Sequence, residues 1–191
     1  MRRPIHELSG IRTLKARRFT DERGFLLQSY TQSCLLEAGI RAVFRQAIQS
    51  RSRHRVLRGL HFQWDPPQDK LIRCIRGTIL DVVVDVRPGS PSLGDHAAVE
   101  LSETNDATLW VPAGFAHGFM ALADDSIVLY ECTAEWAPVA EGGILWCDPA
   151  LAIEWPDPNP IVSEKDRGLP TLASWLSDPR SQAFRLSGEK P

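Results

Sequence analysis

The feature that most constrains this chain is a train of short β-branched and apolar runs, cut at near-regular intervals by turn-forming clusters. Residues 71–76 and 79–86 are separated only by the turn Arg76-Gly77-Thr78, and the valines around Asp81 and Asp85 favour sheet over helix. Runs at 97–101, 107–111, 118–122 and 126–133 follow. Between them stand Pro88-Gly89-Ser90-Pro91, Glu103-Thr104-Asn105-Asp106, Pro112-Ala113-Gly114 and Asp124-Asp125. Many short strands so spaced predict an antiparallel sandwich or barrel, not a parallel sheet with crossover helices. Helix is scarce: residues 32–38, stopped by Gly39, and 172–176, after Pro170, are the two candidates. With 191 residues the chain is expected to form one domain over 1–191 with a substantial core. Its polar tail, about 178–191, is expected to be loosely ordered.

Charge and cysteine content narrow the class. A net charge of −2 gives no electrostatic reason to expect nucleic-acid or membrane binding, although arginines crowd the first third (Arg12, Arg17, Arg18, Arg23, then Arg41 to Arg58). No run approaches the roughly 20 apolar residues that cross a bilayer, and no apolar stretch follows the basic start as in a secretory signal. Cys34, Cys74, Cys132 and Cys147 are widely spaced and read as core thiols of a reducing cytosol, so a cytoplasmic protein is expected. No GxGxxG follows a strand, no YxxxK follows Tyr30 or Tyr130, and no Walker A loop or GxSxG elbow occurs. Chemistry that runs through transient oxidation by a nicotinamide would need such a dinucleotide site.

Two clusters carry the chemistry. Arg58-Gly59-Leu60-His61-Phe62-Gln63 sets an arginine and a histidine three apart around a glycine, before the strand region. Pro112-Ala113-Gly114-Phe115-Ala116-His117-Gly118-Phe119 contains PxGxxH, the second motif of cupin barrels. A metal-binding cupin also needs HxH and a following glutamate. Here Gln63 stands two after His61, and Pro66-Pro67-Gln68 stands where the glutamate belongs. Two histidines make a poor divalent site, so no metal and no cofactor are expected.

These clusters lie among further motifs: Phe19-Thr-Asp21-Glu-Arg23-Gly24-Phe25, Gln68-Asp69-Lys70-Leu71, Asp81-Val-Val-Val-Asp85-Val-Arg87, Ser90-Pro91-Ser92-Leu93-Gly94 and Ile161-Val162-Ser163-Glu164-Lys165-Asp166. In that order and spacing, over about residues 5 to 176, the chain resembles the dTDP-4-dehydrorhamnose 3,5-epimerase family. The resemblance implies a cupin-type antiparallel β-barrel (jelly roll) that inverts C3 and C5 of a nucleotide-linked 4-keto-6-deoxyhexose. The C4 ketone acidifies both neighbouring C–H bonds, but a placed base must still remove each proton.

By the same resemblance His61 is that base, and Asp166 fixes its tautomer. Lys70 and Arg58 supply cationic donors where charge develops on O4, and Tyr130 is the acid. His117 belongs to the sugar pocket. Phe19, Arg23, Gln28, Gln46, Ile48, Glu141 and Lys165 fall at substrate-binding positions, and Trp136 falls where a ring stacks on the base. A homodimer that exchanges its N-terminal arm, about residues 19–30, is also implied.

Each residue has a plainer reading beside this one. His61 could be a satisfied core histidine. Ser163-x-x-Asp166 also reads as a helix cap. Tyr130 ends an apolar strand, and Trp136 is one of six tryptophans that could simply pack. Asp81 could be a pocket carboxylate or one satisfied by barrel hydrogen bonds, and Arg23 a surface arginine. The chain departs from the family pattern at Gln28, where many members have glutamate, and at Ile48, where the Q-x-N-x-S segment has asparagine. An apolar side chain cannot replace an amide's hydrogen bonds, and an unpaired partner costs about 1–3 kcal/mol. Four readings stay open: two-centre epimerase, a relative inverting one centre or serving another deoxysugar, a metal-dependent cupin, and a non-catalytic sugar-binding barrel.

Overall fold

A computed structural model describes residues 1–186. It contains twelve strands: β1 (Arg12–Lys15), β2 (Arg17–Asp21), β3 (Gly24–Gln28), β4 (Gln46–Ser52), β5 (Leu57–Gln63), β6 (Lys70–Arg76), β7 (Thr78–Asp85), β8 (His96–Ser102), β9 (Ala107–Val111), β10 (Phe115–Ala121), β11 (Ser126–Cys132) and β12 (Glu141–Gly143). The helices are short: α1 (Gln32–Glu37), α2 (Glu164–Arg167) and α3 (Leu172–Ser177). One five-stranded sheet runs β1-β9-β6-β11-β4, the other β12-β5-β10-β7-β8, and β2 pairs only with β3. Every pairing between these strands is antiparallel. This is an antiparallel barrel, as the strand spacing led one to expect, and of the cupin-type jelly-roll kind that the resemblance implied.

The pleat decides what faces inward. Ile72, Cys74, Leu109 and Val128 from one sheet meet Ile79, Val83, Phe115 and Phe119 from the other in a single buried cluster. Each such aliphatic or aromatic side chain contributes about 1.5–3 kcal/mol on burial. Tyr130 is paired with Ile72 and with Ile48, and Lys70 with Cys132 and Val111, so these side chains share that inner face. On the opposite sheet His117 is paired with His61 and with the buried Val83. The apolar residues thus fill one part of the space between the sheets, and the polar ones collect in the other.

The outer faces are covered as well. Leu60, Phe62, Val82 and Val84 pack against Leu172 and Trp175 of α3 and against Phe184. Leu71 and Trp110 pack against Leu35 of α1 and Ile40. Helix α1 is capped by Thr31, whose hydroxyl accepts from the Cys34 amide, and Gly39 (φ +79°) follows its end.

Four readings from sequence need correction. The Leu57–Gln63 motif does not precede the strand region but is itself a strand, and β1 to β4 were not seen at all. Their residues are largely exposed, so they lack the apolar signature that marks β7. The run expected at 118–122 begins earlier, at Phe115, because partners β5 and β7 supply hydrogen bonds regardless of local propensity. The tail is ordered further than expected: Pro179–Phe184 is a 3₁₀ turn, anchored by Phe184, which is only 6% exposed and lies 5.6 Å from the Phe62 ring. Residues 187–191 of that expectation lie outside the described residues. All four thiols are unpaired, and Cys147 is exposed, unlike the core thiol expected there.

Candidate active site

One cavity of about 520 Å³ opens between the two sheets, and side chains from both walls point into it. His61, Arg58 and His117 come from one sheet; Lys70, Tyr130, Cys132 and Ile48 come from the other. Trp136, Glu141, Lys165 and Asp166 close it from the loops, β12 and α2.

Arg58 reaches this cavity through an irregularity in register. His117 is opposite His61, but Phe119 is opposite Arg58, so the ladder shifts between them. Such a shift turns a side chain toward the other face of the strand. The backbones meet closely there: a Cβ on Gly59 (φ +114°) would lie 2.6 Å from Gly118 Cα, and one on Gly118 would lie 2.6 Å from the Arg58 carbonyl oxygen. Only glycine fits at either position, which is the physical content of RGLH and AHGF. The Arg58 guanidinium is then fixed by donating to Ser52 Oγ at 3.0 Å and to the Arg51 carbonyl at 3.2 Å.

His61 and Asp166 form a dyad, with Nε2 2.7 Å from Oδ1. The other carboxylate oxygen accepts from the Gly59 amide at 3.2 Å. Asp166 stands in the first turn of α2, and its own amide donates to the Ser163 cap at 3.1 Å. The helix cap and the dyad are therefore the same piece of structure. Burial pushes the Asp166 carboxyl up, but the His61 and Gly59 hydrogen bonds outweigh it and hold the group below the usual carboxylate range. A carboxylate accepting from Nε2 leaves Nδ1 with a free lone pair, the form a base requires.

A second histidine–carboxylate pair lies deeper. His117 Nε2 meets both oxygens of the fully buried Asp81 at 2.8 and 3.0 Å. Asp81 is thus satisfied within the barrel and also shapes the cavity through His117. Burial pushes its carboxyl above the usual range, and His117 and Lys70 pull it back only in part.

The facing wall is held more loosely. Among the described residues Lys70 Nζ has one hydrogen bond, to the His61 carbonyl at 3.5 Å, and burial lowers its pKa. Burial likewise pushes the Tyr130 hydroxyl well above its ordinary value; its one hydrogen bond among the described residues is to Ser50 Oγ at 3.5 Å. At the rim Lys165 donates to Glu141 at 2.5 Å, and the half-exposed Trp136 is held by its amide donating to Gln46 Oε1 at 2.9 Å.

The structure gathers His61, Lys70, Tyr130, Asp166, Arg58, His117, Ile48, Trp136, Glu141 and Lys165 in one cavity, with Gln46 behind Trp136. It does not bring Phe19, Arg23 or Gln28 to them within the chain. These sit on the β2–β3 hairpin, where Phe19 and Arg23 line a separate shallow depression and Arg23 pairs with Asp21. Gln68, Phe119 and Cys132 also line the cavity and were not singled out from sequence. The period of two along β10 and β11 would have found Phe119 from His117, and Cys132 from Tyr130.

Gln63, standing where a second metal-binding histidine would, has its amide committed to the carbonyls of Pro66 and Glu135 and to the Ala137 amide. Among the described residues no three His, Cys, Asp or Glu side chains gather around one point. No helix among them is long and apolar enough to cross a membrane.

A jelly-roll barrel with a histidine–carboxylate dyad facing a lysine and a tyrosine belongs to the cupin-type carbohydrate epimerases. The family model described as dTDP-4-dehydrorhamnose 3,5-epimerase matches residues 6–174. A relative of that name from Methanothermobacter thermautotrophicus is 44% identical over 163 residues, which is 84% of this chain and 88% of the relative. Among solved structures, the Legionella pneumophila dTDP-6-deoxy-D-glucose-3,5-epimerase bound to dTDP-4-keto-L-rhamnose superposes with a TM-score of 0.88. It is 36% identical and covers 96% of both chains. A 3'-monoepimerase from Streptomyces bikiniensis, bound to dTDP-quinovose, gives 0.86 at 31% identity over 94% of this chain and 90% of its own. The chain belongs to the dTDP-4-dehydrorhamnose 3,5-epimerase family.

Proposed function

We propose that this epimerase inverts C3 and C5 of a dTDP-linked 4-keto-6-deoxyhexose through an enolate, with His61 as base and Tyr130 as acid. The observation that carries this reading is the placement of the His61–Asp166 dyad and the Tyr130 hydroxyl on opposite walls of one cavity. Inversion needs a proton removed from one face of a ring carbon and another delivered to the opposite face.

His61 Nδ1 takes the proton from the carbon beside the ketone, and the imidazolium is stabilised by the ionised Asp166. Negative charge then develops on O4. Lys70 and Arg58 are the cationic donors for it, acting in a partly water-excluded site where such contacts count for more. The Tyr130 O–H bond breaks, its proton goes to the ring carbon and the electron pair stays on the phenolate. His117, held by Asp81, Glu141 and Lys165 bind sugar and diphosphate, and Trp136 offers its ring to the base. The unpaired thiols suit a cytosolic enzyme.

We also infer a homodimer. Phe19, Arg23 and Gln28 lie on an exposed hairpin with Phe25 and Leu26 at 60% and 68% exposure. In a homodimer this arm completes the pocket of the second copy. The alternative is a relative that inverts one centre or serves a different nucleotide sugar, and the apolar Ile48 beside Tyr130 favours a variant substrate. Proton NMR in deuterated water with dTDP-4-keto-6-deoxyglucose decides: deuterium at both C3 and C5 with inversion at both supports the two-centre reading, and uptake confined to one carbon overturns it.

A further inference from the structure

We infer that Ser50 is a positioning residue that poises Tyr130 and stabilises its phenolate. This rests on Tyr130 being the acid. Ser50 belongs to β4, an edge strand of the five-stranded sheet, and is paired with Val128, two residues before Tyr130. In antiparallel pairing that makes Ser50 the diagonal neighbour of Tyr130 on the same face, within reach of a long side chain. Its Oγ lies 3.5 Å from the Tyr130 hydroxyl, and no other hydrogen bond reaches that hydroxyl among the described residues. Ser50 does not line the cavity, whereas Tyr130 does, so any effect of Ser50 on the reaction passes through Tyr130.

The chemistry asks for such a partner. When Tyr130 protonates the ring carbon, a phenolate is left in a site where burial already opposes its charge, and only Ser50 and the more distant Arg58 favour it. The Ser50 hydroxyl then donates to the phenolate oxygen. The 3.5 Å separation is long for a neutral pair and shortens as charge appears, because hydrogen bonds to charged acceptors are shorter and stronger. Ser50 also holds the ring with its oxygen toward the cavity. Arg58, on β5 of the other sheet, is tied to the strand that carries Ser50: its guanidinium donates to Ser52 Oγ, two residues beyond Ser50 and on the same face of β4.

The test pairs Ser50→Ala with Ser50→Thr and Tyr130→Phe, following inversion and deuterium uptake separately by NMR on full-length protein. Ser50→Ala is expected to lower inversion about 10- to 100-fold, the range for losing a hydrogen bond to a charged group. Uptake without inversion is expected to persist, as His61 can return a deuteron to the face it deprotonated. Ser50→Thr is expected to restore inversion, and adding Ser50→Ala to Tyr130→Phe to cost nothing further. Equal loss of uptake and inversion in Ser50→Ala, unchanged inversion, or additive losses in the double variant would each overturn the inference. Should Ser50→Ala not fold, Ser50→Cys, with its weaker donor, must show the same split between uptake and inversion. Wild-type inversion by Tyr130→Phe would instead remove the acid role itself.

Discussion

The two walls of the cavity are built on different principles. On the β5–β10–β7 side each histidine is locked to a carboxylate, His61 to Asp166 at 2.7 Å and His117 to Asp81 at 2.8 Å. On the β6–β11–β4 side Lys70 and Tyr130 each have, among the described residues, a single hydrogen bond at 3.5 Å, and burial displaces the pKa of both. A base must present one nitrogen in one tautomer before substrate arrives, so it is preorganised by ionic hydrogen bonds. In the proposed mechanism the lysine and tyrosine are needed only once charge has formed on the substrate. Leaving them desolvated and loosely paired keeps their donors for that moment.

The sharpest way to break this contrast is His61→Ala. It should lower inversion by about 10⁴, the upper end for a positioned acid–base group, and should abolish deuterium uptake at both C3 and C5. Residual uptake at either carbon would mean that a second group can start the reaction. Tyr130→Phe is expected to reduce inversion by about 10²–10⁴ while uptake remains measurable, and equal loss of both would place Tyr130 before the enolate. Asp166→Asn should slow uptake and inversion together by about 10- to 100-fold with substrate binding near normal, measured by titration calorimetry.

The same carboxylate tests the base wall without substrate. Its pKa is depressed in the folded protein, so its contribution to stability is fully present above the ordinary aspartate value of about 4 and is lost as pH falls through the folded value. Denaturant unfolding should therefore show a shallower acid loss in Asp166→Asn than in the parent, and identical slopes would count against the dyad. The smallest expected effect is that of exhaustive chelation. Because the Gln63 amide is spent on backbone groups, activity should not change, and loss restored by iron, zinc or manganese would restore the metal-dependent reading.

The valine-rich β7 and the regular turns made the all-β class legible, because strands buried on both faces must be apolar whatever surrounds them. β4 was illegible for the opposite reason: Gln46–Ser52 is mostly exposed, and its place in the sheet depends on pairing with β11, whose partner residues lie 74 to 86 positions further along the chain. Yet this strand carries Ile48, which faces the cavity, and Ser50 and Ser52, which hold Tyr130 and Arg58.

The sequence by itself determined the inventory of chemistry: His61 and His117 in their glycine-bearing motifs, Lys70, Tyr130 and Asp166, and the glycines without which RGLH and AHGF could not approach. Tertiary structure alone decided which groups act together. The register shift opposite Gly118 turns Arg58 inward, α2 carries Asp166 onto His61 across a sequence separation of 105 residues, and the N-terminal hairpin stays clear of its own cavity. The reason is physical. Residue types and local turns are fixed by short-range sterics and propensity, whereas a site assembled from strands of two sheets depends on register, and register is set by the packing of the whole barrel.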